Sequence, residues 1–256
     1  MKKLFTLLSL LIINSSFLIT DAFAQTRLGD SIPEIGGTSG NMGRAMDISG
    51  SGNRIAFSHG NNPAVVKVYE WNGSVWNQMG SNIAGYASVL SLNHAGDKLA
   101  IGDDFGGTNS VGTVSIYSYV NGGWNLDVTF SGQNNSDQFG ASIGLNAAGD
   151  KVVISSIGHD GNGFNIGKVL VYGFVGNAWI QLGNSFFGQP VQAYQLGNSV
   201  SINGAGDVIA IGTVRDNSNT GKVQIYKWDN TLPGWVQRGS DMVGDATGNT
   251  FGASFH

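Results

Sequence analysis

Three stretches rich in aspartate and asparagine are the parts of this chain best suited to bind a cation. They are Asp103-Asp104, Asp160-Gly161-Asn162 and Asp216-Asn217-Ser218-Asn219-Thr220-Gly221. The last begins as Asp-x-Ser-x-Thr-Gly, but its twelfth position is Lys227, where a calcium loop of this kind needs a bidentate glutamate. We therefore interpret the three stretches as solvated turns. The sequence predicts no metal site, and Asp103, Asp160 and Asp216 are the loop candidates if one exists.

Side chains suited to catalysis are few and scattered along the chain. Cysteine is absent, and Glu34 and Glu70 are the only glutamates, so a paired-glutamate glycosidase site is excluded while aspartate pairs stay open. His59, His94 and His159 fall in predicted turns or loops of different repeats. None has the spacing of a zinc site or a serine-centred elbow nearby. The sequence predicts no catalytic residue, no cofactor and no enzymatic activity.

The first 24 residues have the features of a secretory signal peptide. Lys2 and Lys3 precede an apolar segment, and Ala22-Phe23-Ala24 fits the small-x-small cleavage pattern. The apolar run is interrupted by Asn14 and is shorter than the roughly 20 residues that span a bilayer. We expect cleavage before Gln25, export to the cell surface or medium, and no membrane span after signal removal.

Composition limits the possible partners. The 13 basic and 17 acidic residues give a net charge of −4, which provides no basic surface for nucleic acid. The 41% hydrophobic content is enough for a packed core, while 40 glycines without a three-residue period exclude collagen. The expected partner is an unknown extracellular protein or glycan.

Three sequence anchors recur in constant order at intervals of roughly 50 residues, a period typical of propellers and solenoids. The first is a glycine followed by Asn or Asp: Gly52-Asn53, Gly96-Asp97, Gly149-Asp150 and Gly206-Asp207. The second is an apolar-rich run that ends in Tyr69, Tyr117, Tyr172 or Tyr226. The third is the tryptophan at position 76, 124, 179 or 235.

Each unit has the pattern of four short strands, because its apolar residues alternate with a period of two. The second strand is nearly continuously apolar, as in Leu99-Ala100-Ile101, which is typical of a strand covered on both faces. The strand with the tryptophan is the most polar and is predicted at the outer edge. Four antiparallel strands per unit predict an all-β fold, a β-propeller of four complete blades plus a partial one. A radial sandwich remains the alternative, because periodicity does not report ring closure.

The start of the first strand carries a family resemblance. Gln138-Phe139-Gly140-Ala141-Ser142 and Thr250-Phe251-Gly252-Ala253-Ser254 resemble the Phe-Gly element of FG-GAP repeats, known from integrin alpha-chain propellers. The whole unit is similar to repeats of exported proteins from Bacteroidota-type bacteria. A WD-repeat assignment is not supported, since Trp228-Asp229 occurs once, although a four-stranded blade is WD40-like in form.

The FG-GAP resemblance implies a calcium loop of the form Asp-x-Asp/Asn-x-Asp-Gly-x-x-Asp, and this chain departs from it. Alignment on Gly96 places Ser91, Asn93, Ala95 and Leu99 at the ligand positions. Alignment on Gly149 places Gly144, Asn146, Ala148 and Val152 there. Too few oxygen ligands remain for a hard cation.

The anchors divide the chain into seven segments. These are a signal peptide (1–24), an orphan outer strand and linker (25–42), blade 1 (43–85), blade 2 (86–132), blade 3 (133–188), blade 4 (189–244) and the start of a truncated fifth blade (245–256). We therefore expect an incomplete ring from a longer product. The favoured function is a non-enzymatic binding or adhesion module. The alternative is the propeller part of a secreted enzyme or carbohydrate-binding protein whose active domain lies C-terminal to residue 256.

Overall fold

The computed structural model describes residues 32, 43–59, 63–161, 164–190, 194–215, 219–248 and 250–254. Within these ranges the chain forms short antiparallel strands and one 3-10 turn, Thr108–Ser110. None of the helical structure found there has the length and apolar content to cross a membrane. The predicted signal peptide, and the predicted orphan strand apart from residue 32, lie outside the described residues.

Four antiparallel sheets follow one another along the chain, and within each sheet the spatial order of strands is their order in sequence. Blade 1 contains β1 (Met46–Ile48), β2 (Arg54–His59), β3 (Val65–Trp71), β4 (Trp76–Gln78) and β5 (Ile83–Ala84). Blade 2 contains β6 (Val89–Leu92), β7 (Lys98–Asp103), β8 (Thr113–Val120) and β9 (Gly123–Ser131). Blade 3 contains β10 (Phe139–Leu145), β11 (Lys151–Ser156), β12 (Lys168–Val175), β13 (Ala178–Gln181) and β14 (Phe186–Phe187). Blade 4 contains β15 (Leu196–Ile202), β16 (Val208–Thr213), β17 (Lys222–Asp229), β18 (Gly234–Gln237) and β19 (Met242–Val243).

The apolar cores lie between neighbouring sheets. One cluster joins Val66 and Val68 of β3 to Leu90 of β6 and Leu99 of β7. Two similar clusters join blade 2 to blade 3 and blade 3 to blade 4. Since each blade buries its faces against its neighbours, the packing unit is the blade pair. The predicted β-propeller fold is confirmed.

The hairpin between the first two strands explains the recurring Gly-Asp pair. Asn93 Nδ2 donates to Asp97 Oδ1 at 2.8 Å, and Asn93 Oδ1 accepts from the backbone amides of Asp97 and Lys98 at 3.0 Å. Gly96 supplies the left-handed residue of this turn with φ 72°. The same bonds recur in the other two Asn-x-x-Gly-Asp turns, Asn146–Asp150 and Asn203–Asp207. The asparagines aligned with calcium ligands are therefore parts of hairpin turns.

The first strands of neighbouring blades are linked by hydrogen bonds from a backbone amide to a side chain of the preceding blade. Leu92 N donates to Asp47 Oδ2 at 2.6 Å, and Leu145 N donates to Ser91 Oγ at 3.0 Å. At the third junction, Val200 N donates to Ser142 Oγ at 3.0 Å. Ser91, another position aligned with a calcium ligand, thus bonds to the next blade.

Aromatic pairs join the third and fourth strands at the same register in every blade. The paired residues are Trp71–Trp76, Tyr119–Trp124, Phe174–Trp179 and Trp228–Trp235, with ring centroids 5.5, 5.2, 5.7 and 5.3 Å apart. Trp124 and Trp235 also donate from Nε1 to a carbonyl oxygen of the preceding blade, Met79 O at 3.0 Å and Leu182 O at 2.9 Å. These tryptophans therefore contribute to packing between blades.

Candidate functional site

The three loop aspartates predicted as metal candidates do not converge on one site. Asp103 is the last residue of β7, whereas Asp160 lies exposed in the turn after β11 and accepts the amide of Asn165 at 3.0 Å. Asp216 lies outside the described residues. Within the described ranges, no group of three or more His, Cys, Asp or Glu side chains is arranged to hold a metal ion.

A cavity of about 340 Å³ lies between blades 1 and 2, at the end of the sheets where the second strands finish. Arg44, His59, Tyr86, Asp103 and Phe105 contribute to its lining. His59 ends β2 and Asp103 ends β7, so the two residues hold the same position in successive repeats. The repeat itself therefore places an imidazole and a carboxylate around one cavity.

His59 contributes an imidazole to the lining of this cavity. The prediction that it lies in a turn or loop is wrong, because it is the last residue of β2 and pairs with Val65. Its Nε2 atom is buried without a hydrogen-bond partner, and among the described residues only Thr213 Oγ1 shares that property. A buried nitrogen without a partner carries a desolvation cost unless a ligand or an ordered water molecule supplies the missing hydrogen bond.

The pKa of the Asp103 carboxyl lies above its ordinary value. Burial raises the pKa of this carboxyl, and the neighbouring charge of Asp104 raises it further, while the amides of Phe105 and Gly106 oppose the shift. Asp104 itself accepts a hydrogen bond from Ser88 Oγ. Arg44 adds an exposed guanidinium to the lining, and no ion pair joins it to another residue of the described ranges. The cavity thus combines a base, a carboxyl with a raised pKa and a cation.

A second polar pair lies within blade 3. His159 Nδ1 lies 3.1 Å from Asp137 Oδ1, and both side chains are buried. Asp137 Oδ2 also accepts the backbone amides of Gln133 and Asn134 at 3.0 and 2.9 Å. His159 lies in a loop, as predicted, but its partner was not predicted because the two residues belong to different connections.

The sheets, turns and repeated blade junctions define a β-propeller. Among solved structures, a 6-phosphogluconolactonase-like protein of Bacteroides fragilis is similar to this chain, with a TM-score of 0.51 and 15% identity over 78% of this chain and 54% of its own. A second such protein, from Bacteroides uniformis, gives a TM-score of 0.53 and 14% identity over 81% of this chain and 56% of its own. The chain spans about half the length of these proteins. No protein-family model and no curated protein sequence matches it.

These comparisons correct the FG-GAP prediction, since the structural neighbours are 6-phosphogluconolactonase-like propellers and not integrin-type ones. The Phe-Gly pair has a packing role instead. Gly140 has φ 90°, and a Cβ there would lie 2.8 Å from Thr113 O of the preceding blade. In β15 the pair Leu196-Gly197 takes the place of the Phe-Gly pair. Gly197 has φ 85°, and a Cβ added to it would lie 2.6 Å from Val169 Cγ2 of the preceding blade. The glycine is required by the close approach of two blades, and this requirement is not specific to one family.

The comparisons also correct the functional prediction. The neighbours are named for a hydrolytic activity, which overturns the expected non-enzymatic binding or adhesion module. The alternative, an active domain beyond residue 256, does not fit them either. At 14 to 15% identity the likeness establishes the fold alone.

Proposed function

We propose that this protein is a propeller hydrolase that opens a phosphorylated sugar lactone in the cavity between blades 1 and 2. The observation that carries the proposal is the buried, unpartnered Nε2 of His59 in a cavity that also contains Asp103 and Arg44. The substrate class is taken from the name of the structural neighbours. The cavity of about 340 Å³ falls within the size range of small-molecule sites.

Each group has a role that follows from its chemistry. His59 Nε2 accepts a proton from a water molecule while the water oxygen attacks the lactone carbonyl. Collapse of the tetrahedral intermediate breaks the ring C–O bond, and the departing ring oxygen takes the proton that His59 Nε2 accepted from the water. The product is the open hydroxy acid, His59 returns to its neutral form, and the Asp103 carboxyl accepts a hydrogen bond from a substrate hydroxyl. The Arg44 guanidinium binds the phosphate of the substrate.

The test is hydrolysis of 6-phosphoglucono-δ-lactone by the full chain, followed as acid release. His59→Gln should lower kcat by about 100-fold or more, the usual contribution of a general base. His94→Gln is the matched control, because His94 is an exposed histidine in the turn between β6 and β7, at the opposite end of the sheets. Failure of the wild-type chain to hydrolyse the lactone, or equal activity of His59→Gln and wild type, would contradict the proposal.

We also propose that the chain is exported. The basic residues Lys2 and Lys3, the apolar segment and Ala22-Phe23-Ala24 support it. N-terminal sequencing of the product secreted by a Gram-negative host should begin at Gln25. A cytoplasmic product that retains Met1 would show that the segment is not a signal peptide.

A further inference from the structure

The outer strand of blade 2 differs from those of the other three blades. In blades 1, 3 and 4 this strand is split into two segments, and each break contains a left-handed glycine, Gly80, Gly183 or Gly239. In blade 2, β9 runs unbroken, and the pairing shifts by one residue between Tyr117↔Leu126 and Ile116↔Val128. Asp127 is the extra residue of this bulge. Bulges redirect a side chain and are common beside functional sites.

The bulge aims the Asp127 carboxylate at a polar cluster. Asp127 Oδ2 accepts from Lys98 Nζ at 3.1 Å and also from Ser118 Oγ. Lys98 Nζ donates in turn to Ser118 Oγ at 2.5 Å. An acceptor and a cation are therefore held in fixed positions at the junction of blades 2 and 3.

The altered strand also leaves Trp179 of blade 3 without the hydrogen bond that its equivalents make. Trp124 donates to Met79 O, and Trp235 donates to Leu182 O. In both cases the acceptor residue comes directly before the left-handed glycine of the preceding blade's outer strand. In blade 2 the position of Met79 is taken by Asp127, which follows Leu126 as Met79 follows Gln78. No hydrogen bond from Trp179 Nε1 to any described residue is present. Its ring instead packs edge-on against Phe130, with the ring centroids 6.1 Å apart, and against Phe174, with the centroids 5.7 Å apart.

A cavity of about 490 Å³ lies at this junction, and Lys98, Asp127, Asp150, Phe174 and Trp179 contribute to its lining. Lys98 and the turn before Lys151 mark the starts of β7 and β11, so the cavity lies at the opposite end of the sheets from His59. Phe174 is 47% exposed, which leaves aromatic surface available to a ligand.

We propose that this cavity binds a neutral saccharide. The flat indole of Trp179 and the ring of Phe174 offer the apolar surface on which the C–H face of a pyranose stacks, and the free indole N–H adds a donor. The carboxylates of Asp127 and Asp150 accept hydroxyl groups, and Lys98 donates to one. Two carboxylates beside one ammonium disfavour an anionic ligand, which distinguishes this site from the Arg44 cavity. The proposal is independent of the proposed lactonase activity.

The experiment is calorimetric titration of the full chain with three neutral probes: cellobiose, maltose and chitobiose. Wild type should give a saturable heat with at least one of them. Trp179→Ala should weaken that binding at least tenfold. The matched control Trp228→Ala removes another half-buried indole, one that lies outside the cavity lining, and should bind as wild type does.

A second variant keeps the test decisive if Trp179→Ala does not fold. Asp127→Met places at the bulge the residue found at the equivalent point of blade 1, Met79, and should abolish binding while the chain stays folded. No saturable heat with any of the three probes would overturn the proposal, as would equal loss of binding in Trp228→Ala and Trp179→Ala. His59→Gln should bind the saccharide as wild type does, so the result is separate from that of the lactonase assay.

Discussion

At the scale of single residues, Asp137 shows how a buried charge is accommodated at the start of blade 3. Burial acts to raise the pKa of its carboxyl, but the amides of Asn134 and Gln133 and the side chains of His159 and Asn134 together lower it. Hydrogen bonds to a charged group contribute more than those between neutral groups. The carboxylate therefore fixes the connection into blade 3.

We expect Asp137→Asn to lower the free energy of unfolding by about 1 to 3 kcal/mol at neutral pH, the range for hydrogen bonds to a charged group and buried unsatisfied groups. Because the folded pKa lies below the unfolded one, the carboxylate stabilises the fold above the unfolded pKa. That contribution is lost as pH falls through the folded pKa. Urea unfolding at about pH 7 and about pH 3 measures both effects.

Asp160→Asn is the control for this prediction, because Asp160 is exposed and accepts one backbone amide at 3.0 Å. Its stability should stay close to that of wild type at both pH values. If Asp137→Asn keeps both the stability and the acid-side slope of wild type, the role assigned to Asp137 is wrong.

The sequence identified some site residues and could not combine them. Asp103 stood out because it lies in a stretch of oxygen-bearing side chains, but its proximity to a cavity with His59 depends on how two blades pack. The partner of His159 was invisible because no spacing rule relates residues in separate connections. Asn93 and Asn146 were assessed only as cation ligands, although the Asn-x-x-Gly-Asp pattern predicts a hairpin turn on physical grounds.

At the scale of elements, the four-stranded blade was predictable because its alternation, turns and aromatic anchors agree with one another. The break in the outer strands of blades 1, 3 and 4 was not predicted. In each of these blades two short segments pair with the third strand, one on either side of a glycine. Whether a tryptophan Nε1 finds a carbonyl acceptor depends on the outer strand of the preceding blade. Only three-dimensional packing distinguishes Trp179 from Trp124.

We expect Trp124→Phe to destabilise the fold by about 1 kcal/mol more than Trp179→Phe, the net contribution of a typical hydrogen bond. Both changes remove the same indole surface, but only Trp124 Nε1 donates to a carbonyl, that of Met79 at 3.0 Å. Denaturant midpoints of the two variants measure the difference. Equal destabilisation would mean that the bond to Met79 O adds nothing to stability.

At the scale of the whole molecule, the first sheet presents apolar side chains to solvent. Met46 and Ile48 on β1 are 63% and 56% exposed. Asp47 between them faces blade 2, where it accepts the amide of Leu92, so the two apolar side chains point to the other face of the strand. Adjacent exposed apolar groups promote association.

We therefore expect the double variant Met46→Ser and Ile48→Ser to reduce concentration-dependent association of the chain, measured by light scattering. Its melting temperature should change little, since exposed side chains typically contribute less than about 0.5 kcal/mol. The control replaces Val175 of β12 and Ile180 of β13, which are 55% and 46% exposed. Association that is unchanged in the β1 variant, or absent from wild type at every concentration, would contradict this expectation.

The hydrogen bonds between first strands have a direction that matters during synthesis. The acceptors Asp47 and Ser91 belong to the earlier blade, and the donors Leu92 and Leu145 belong to the later one. A blade that leaves the ribosome therefore meets an acceptor surface that has already emerged, and folding can follow the order of translation. Nascent chains stalled with residues 1–132 outside the ribosome should already resist proteolysis within blades 1 and 2.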